Sequence, residues 1–165
     1  GTTDYSMSSN MLRLNPSLIL AAGKQKVDPY AKVGIIVGSG NIDYSIKESI
    51  DGDVAEQTLT MNGGLAYGLN SSFGLLFKKS ESISFFTEFS MINMSYAPVK
   101  GEITEATFNG RDVLPSLTTN EKKFEYLDKI IYTGSLPRDS EPTQSLKVNY
   151  PFGSWGINAG IRLSF

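Results

Sequence analysis

The 165-residue chain has neither cysteine nor histidine. Without cysteine there is no disulfide and no thiol chemistry, and without either residue the usual nucleophilic triads are excluded. We therefore expect a non-enzymatic protein with no cofactor and no metal site. The 15 basic and 17 acidic residues nearly balance, so the net charge of -2 gives no reason to expect a nucleic-acid partner.

Long hydrophobic runs are also missing. No stretch of about 18 apolar residues occurs, which excludes a helical membrane span. Transmembrane β-strands need only about 10 alternating residues, and they are invisible to averages such as the mean hydropathy of -0.15. The N-terminus has no basic segment followed by an apolar one, so we expect that a signal peptide was removed or never included.

The last eleven residues, 155–165, alternate strictly between large apolar and small or polar side chains. The apolar positions are Trp155, Ile157, Ala159, Ile161, Leu163 and Phe165. Because side chains of a strand point to alternate faces, one face is suited to lipid and the other to a crowded interior. This pattern predicts a transmembrane strand of an outer-membrane barrel.

Similar alternation marks four further strands. We place them at 11–23, 27–46, 59–77 and 83–96, which gives five strands with 155–165. The connections 23–26 and 79–82 are tight polar turns, whereas 47–57 and 97–146 are long polar loops. Short turns of such barrels face the periplasm and long loops face outward. We therefore expect one outer-membrane domain, 1–165, with extracellular long loops and a periplasmic C-terminus.

Five strands do not close a barrel of even strand number, and an open edge in lipid leaves backbone groups unsatisfied. We expect an antiparallel up-and-down barrel of eight strands, of which this chain holds the last five. Two alternatives remain open. A neighbouring subunit supplies the missing pairing, or 97–146 hides a further hairpin around Phe124 to Tyr132.

Four charged residues fall on the small or polar face of the predicted strands: Arg13, Lys32, Glu88 and Arg162. Buried charges must be paired, so this excess of positive charge predicts carboxylates on strands outside the chain. One interpretation is a polar path or gate through the barrel. We favour a static network that fills the lumen, because an eight-stranded barrel is only wide enough for its own side chains.

Aromatic residues near the predicted strand ends suggest interfacial belts. They are Tyr67, Tyr96, Tyr150, Phe152, Trp155 and Phe165. The acidic tip at Asp51 and Asp53 has the oxygen ligands that calcium prefers, but it lacks EF-hand spacing and is more typical of a solvated turn. The long loop 97–146 mixes charges with apolar residues, which predicts local folding over the barrel mouth or docking onto a partner.

Several strand and turn segments resemble a known family. They are Arg13-Leu-Asn-Pro-Ser17, Asp28-Pro-Tyr-Ala-Lys-Val-Gly34, Asn93-Met-Ser-Tyr-Ala-Pro98 and Tyr150-Pro-Phe-Gly-Ser-Trp-Gly156. They are similar to segments of the small outer-membrane β-barrel family of Bacteroidetes, a relative of the eight-stranded OmpA and OmpX type. The resemblance implies fold and location, and it implies that three strands precede a segment like 1–10.

The leading functional hypothesis is a structural or interaction protein whose extracellular loops form the binding surface, either alone or as a subunit of a larger outer-membrane assembly. Its expected partners are outer-membrane lipid, lipopolysaccharide and other outer-membrane subunits. The alternative is a narrow channel or small-molecule transporter with a charged lumen. A soluble lipocalin-like barrel fits poorly, because the second face is too small and uncharged for a surface in water.

Overall fold

In the computed structural model, one strand of 24 residues, Val27–Ile50, pairs with four others. The structure describes residues 1–23, 26–130 and 138–164. The centre of the predicted turn 23–26, Tyr132 of the alternative hairpin and Phe165 lie outside the described residues. No helix within the described ranges is long and apolar enough to cross a membrane.

The fold is all-β and mostly antiparallel, which confirms the predicted class. The strands are β1 (Thr2–Leu14), β2 (Ser17–Ala21), β3 (Val27–Ile50), β4 (Asp53–Asn62), β5 (Ala66–Lys78), β6 (Ile83–Tyr96), β7 (Lys100–Phe108), β8 (Arg111–Asp112), β9 (Lys123–Leu127), β10 (Thr143–Leu146) and β11 (Tyr150–Leu163). They form one eleven-stranded sheet, and the two strands that end its main path, β10 and β11, do not pair with each other within the described chain. The sheet is therefore not a closed barrel.

The chain divides into two compact units. The first unit comprises the described residues of 1–12, 39–65 and 97–149, and the second those of 13–38, 66–96 and 150–165. In the second unit β2, the first half of β3, β5, β6 and β11 follow one another as antiparallel neighbours. Four of the five predicted strands supply its β3, β5, β6 and β11.

The second unit buries its polar face and exposes its apolar one. Asp28 and Glu88 have relative exposures of 1% and 7%, whereas Phe73 and Ile157 have 64% and 76%. The exposed set also includes Val33, Ile35, Leu69, Phe85, Met91, Trp155 and Ile161. This arrangement is the reverse of the one that water imposes on a globular domain, where large exposed apolar patches are rare.

The first unit buries apolar side chains instead. Its sheet contains the second half of β3, then β4, β7, β9 and β10. Ile42, Met61, Ile103 and Ala106 are all less than 9% exposed and form its core. The burial of apolar area, at about 25 cal/mol per Å², stabilises this unit in the ordinary way.

The predicted loop 47–57 is wrong, because β3 and β4 continue through it as a hairpin. Only Asp51 and Gly52 form the turn, with φ angles of 51° and 95°. Positive φ at both central residues is the geometry that matches the twist of two-residue hairpins, and Asp-Gly is a favoured sequence for it. The acidic tip is therefore a hairpin turn.

Two predicted strands are interrupted. The strand expected at 59–77 breaks at Gly63 and Gly64, whose φ angles are 75° and 73°. A side chain at Gly64 would collide with the carbonyl oxygen of Ala97, so only glycine fits there. The strand expected at 11–23 breaks between β1 and β2 at Pro16, which has no N–H to donate to a ladder.

The described part of segment 97–146 folds into regular elements rather than an irregular loop. It contains β7 to β10, a 3₁₀ turn at Leu114–Ser116 and a short helix α1 at Thr119–Lys122. Phe124 and Tyr126 on β9 are half-buried, in agreement with local folding around an apolar stripe. β9 pairs in parallel with β10, and the hairpin considered around Phe124 to Tyr132 extends beyond the described residues.

Asn109 closes the hairpin between β7 and β8 and holds the start of β4. Its side-chain oxygen accepts from the Val54 N–H at 2.7 Å, and its amide donates to Asp53 at 2.8 Å. We predict that Asn109→Ala lowers the local opening free energy by about 1–3 kcal/mol, read from hydrogen exchange of the Val54 amide.

The matched variant is Asn109→Gly, which keeps the positive φ of 49° at no steric cost but loses the same side-chain bonds. Exchange should be fastest in Asn109→Ala, intermediate in Asn109→Gly and slowest in the parent chain. Equal exchange in all three would show that this clamp does not hold β4.

Helix α1 begins with a reciprocal cap. The Glu121 carboxylate accepts from the Thr118 N–H at 2.7 Å and from its hydroxyl at 2.9 Å, and these bonds lower the pKa of Glu121 below its ordinary value. The lowered pKa means that the cap is complete above the unfolded pKa of about 4.3 and is lost as pH falls through the folded pKa.

We predict that the carboxyl carbon of Glu121 titrates, in an NMR pH series, below an unfolded glutamate. Thr118→Ala removes the hydroxyl and should raise the pKa of Glu121 partway back, whereas Ser116→Ala should leave it unchanged. A titration of Glu121 that is insensitive to Thr118→Ala would contradict the reciprocal cap.

Candidate functional site

The Glu88 carboxylate on β6 is a buried charge of the second unit with several hydrogen-bond donors around it. It accepts from the Tyr30 hydroxyl at 2.8 Å, from Lys32 Nζ at 3.0 and 3.1 Å, and from Asn158 Nδ2 at 3.4 Å. Its partners lie on β3 and β11. One carboxylate thus joins three strands, and we call these four residues the Glu88 network.

Strand register brings the network together. Tyr30 lies opposite Gly74, Gly74 opposite Glu88, and Glu88 opposite Asn158, so one row crosses β3, β5, β6 and β11. Gly74 leaves the space that the row needs. A Cβ there would lie 2.9 Å from Cζ of Tyr30 and 2.8 Å from Cβ of Glu88.

The electrostatics of the network explain its composition. The side chain of Glu88 is 8% exposed and that of Lys32 is 23% exposed, at an ion-pair distance of 3.0 Å. A carboxylate so deeply buried is tolerated only when charge and hydrogen bonds compensate for its lost hydration. Asn158 is itself held by a bond to Ser90 Oγ at 3.0 Å. Because the Glu88 carboxylate accepts four hydrogen bonds, its role is to hold the three strands together.

A second buried carboxylate lies on the face of β3 that carries Tyr30 and Lys32. Asp28 is 1% exposed and pairs with Lys78 Nζ at 2.5 Å. The same Nζ donates to the Gly23 carbonyl at 3.2 Å. The predicted lumen charge network did not include Asp28, Tyr30 or Asn158. Asp28 and Tyr30 have even numbers on β3, as Lys32 does, and Asn158 has an even number on β11, as Arg162 does. This shared parity was the signal that would have identified them.

The predicted lumen charges have different surroundings. Lys32 and Glu88 meet directly, and Arg162 lines one cavity of about 400 Å³ together with both of them. Neither Arg162 nor Arg13 forms an ion pair within the described residues, and both are exposed.

The predicted aromatic belt divides by face. Tyr67 and Trp155 are exposed at 61% and 74%, whereas Tyr96 is fully buried on the opposite face. Tyr150 and Phe152 are half-buried, and Phe165 is outside the described residues. On the exposed face Trp155 stacks on Phe89 at a centroid distance of 6.1 Å.

Within the described residues no three of His, Cys, Asp and Glu lie close enough together to hold a metal ion. At the acidic tip, Asp53 instead accepts from the Asn109 amide.

The space at Gly74 provides a test of the Glu88 network. We predict that Gly74→Ala destabilises the fold by about 1–3 kcal/mol, because the added methyl displaces the Tyr30 ring or β6. Gly156→Ala is the matched control on β11, because a Cβ there meets no atom within 4 Å, and it should change stability by less than about 0.5 kcal/mol.

The readout for both variants is chemical unfolding followed by fluorescence of Trp155, the only tryptophan. Equal stability of Gly74→Ala and Gly156→Ala would show that the position of the Tyr30 ring does not require the space at Gly74.

Comparison with known proteins adds no family to this geometry. No family model matches the chain, and searches of curated proteins and of solved structures give no match either.

Proposed function

We propose that the second unit is the membrane-spanning part of an outer-membrane β-barrel with a structural or interaction role. The single observation that carries the proposal is its inverted polarity. Its strands bury Asp28, Asn70, Ser72 and Glu88 while large apolar side chains cover the opposite face. A bilayer is the solvent in which that arrangement is favourable, because apolar outward and polar inward faces alternate along barrel strands.

Strand length supports the same proposal. β5, β6 and β11 have 13, 14 and 14 residues. A tilted strand crosses the hydrocarbon core of a bilayer with about 9–11 residues. Each of these strands is therefore long enough to span the bilayer and to extend beyond it.

We also propose that further strands close this sheet into a barrel. β11 has β6 as its only strand neighbour in the described chain, and a bilayer-spanning sheet needs every edge paired. Three further strands added to β2, β3, β5, β6 and β11 would give eight, the smallest even number in such barrels. Such closure would meet the pairing requirement of both edges.

The buried face of the second unit favours a packed interior over a conducting one. Besides the Glu88 network it holds Ile36, Leu76, Met94 and Tyr96, all less than 9% exposed. The lumen of an eight-stranded barrel is filled by side chains or leaves room for one small ligand, which is too little for a conducting pore. We therefore propose a non-enzymatic anchor rather than a channel, and we expect no single-channel conductance in planar bilayers.

The rest of the proposal concerns location and partners. We propose an outer-membrane protein in contact with lipid and lipopolysaccharide, with a periplasmic C-terminus, and of the small barrel family that the strand motifs resemble. Segment 97–146 has mixed charges and ordered strands, as binding surfaces on rigid scaffolds commonly do. We propose it as the extracellular surface that contacts other outer-membrane subunits.

The sole tryptophan tests the membrane face. We predict that lipids brominated in their acyl chains quench the fluorescence of Trp155 in reconstituted vesicles, because its side chain lies on the exposed apolar face. Aqueous acrylamide should quench it weakly. The unheated protein should also migrate differently from the boiled protein on SDS gels, as closed barrels do.

Two variants supply the control for face. Trp155→Phe with Ile157→Trp moves the indole along the same face, and Trp155→Phe with Gly156→Trp moves it to the opposite face, where a Cβ meets no atom within 4 Å. Bromolipid quenching should persist in the first and fall in the second. Strong acrylamide quenching of Trp155 with no bromolipid effect would overturn the membrane proposal.

A further inference from the structure

One cavity of the second unit combines charge with an apolar wall. It measures about 400 Å³, and its lining includes Arg162, Lys32, Tyr30, Ile19, Leu76 and Phe86. Ligand cavities typically measure about 300–1,000 Å³ and are mostly apolar with a few placed polar groups. This cavity has that size and that mixture.

The charge of the cavity is positive. Glu88 and Lys32 neutralise one another at 3.0 Å, and Tyr30 also donates to Glu88. Arg162 remains, with no ion pair within the described chain. A guanidinium stays charged at all physiological pH values, and its planar donors match a carboxylate or a phosphate. The cavity therefore has one cation available to an anionic group.

The apolar wall interrupts the polar pattern of the buried face. Leu76 is only 7% exposed, and it lies directly opposite Phe86 in the register of β5 and β6. Phe86 in turn lies over Gly160, where a Cβ would be 2.8 Å from its ring. Ile19 on β2, opposite Lys32, adds a third large apolar side chain. A hydrocarbon chain that contacts these residues would leave water.

We propose that this cavity binds an amphipathic anion with a single alkyl chain, whose carboxylate or phosphate pairs with Arg162 and whose chain packs on Ile19, Leu76 and Phe86. Neither half of the site is sufficient alone. Arg162, which has no ion pair among the described residues, attracts the head group, and the apolar wall selects against small anions. The proposal deepens the proposed function by assigning a ligand class to the inner face of the sheet. It rests on the proposed function only in taking the face that carries the cavity as the inside of the barrel.

Calorimetric titration with octanoate tests the inference. Octanoate is soluble in water and carries both features, whereas octanol has no charge and acetate has no chain. Octanoate should bind at least tenfold more tightly than either, in buffer or non-ionic detergent, whichever keeps the chain monodisperse. Equal affinity for octanol and octanoate would overturn the role of Arg162, and saturable acetate binding of equal strength would overturn the apolar wall.

Three variants locate the site. Arg162→Gln should weaken octanoate binding at least tenfold, Arg162→Lys should retain part of it, and Arg111→Gln, an exposed arginine of the first unit, should leave it unchanged. Phe86→Leu, which keeps β6 apolar, should weaken octanoate more than acetate. If Arg162→Gln fails to fold, the variants Arg162→Lys and Phe86→Leu decide the test. Unchanged octanoate binding in these two well-folded variants would reject the site.

Octyl phosphate extends the test to the second head group. It should compete with octanoate if the cavity accepts phosphate as well as carboxylate, and a lack of competition would restrict the ligand to carboxylates. Failure of the proposed function gives a different result, because Trp155 would then resist bromolipid quenching whatever the octanoate titration shows.

Discussion

The buried carboxylate of Glu88 is the constraint on which the second unit depends. A charge with so little exposure must receive its hydrogen bonds from neighbouring strands, and it receives them from Tyr30, Lys32 and Asn158. A slip of one residue in any pairing would turn a partner to the other face. The same bonds that stabilise the charge therefore also fix the register of β3, β6 and β11.

Strand β3 shows how one strand serves two kinds of core. Its even-numbered residues in the second unit include Asp28, Tyr30 and Lys32, which join polar networks. In the first unit its even-numbered Ile42 is fully buried in an apolar core. The period of two is the same throughout, but the side chains placed on the buried face change. Alternation by itself therefore predicts a strand without predicting which of its faces meets solvent.

Sequence reasoning found the strands through their alternation and placed Lys32 and Glu88 on one face, where the structure joins them at 3.0 Å. It missed the ends of elements. Asp51-Gly52, Gly63-Gly64 and Asn109-Gly110 are turns with positive φ, and we had treated the first as a loop tip, the second as strand and the third as loop. Turn chemistry is local, and a scan for alternation over ten residues averages it away.

The candidate site was harder to predict than the fold. Tyr30 and Asn158 are ordinary strand residues until the register places them opposite Gly74 and Glu88, and register depends on pairing across the chain. β9 and β10 were missed for a related reason, because they pair in parallel. Long-range pairing leaves little trace in a single sequence.

The central claim is that the apolar face of β3 meets lipid. Because the chain has no cysteine, a nitroxide attached to single cysteines at positions 31–33 and 35–37 tests it without background labelling. Gly34 is left out, because a Cβ there would lie 2.2 Å from Ser17 Oγ. In vesicles, collision with lipid-soluble oxygen should peak at Ala31, Val33, Ile35 and Val37 and fall at Lys32 and Ile36. Oxygen accessibility without a period of two, or higher accessibility to a water-soluble nickel complex at the odd positions, would contradict the account.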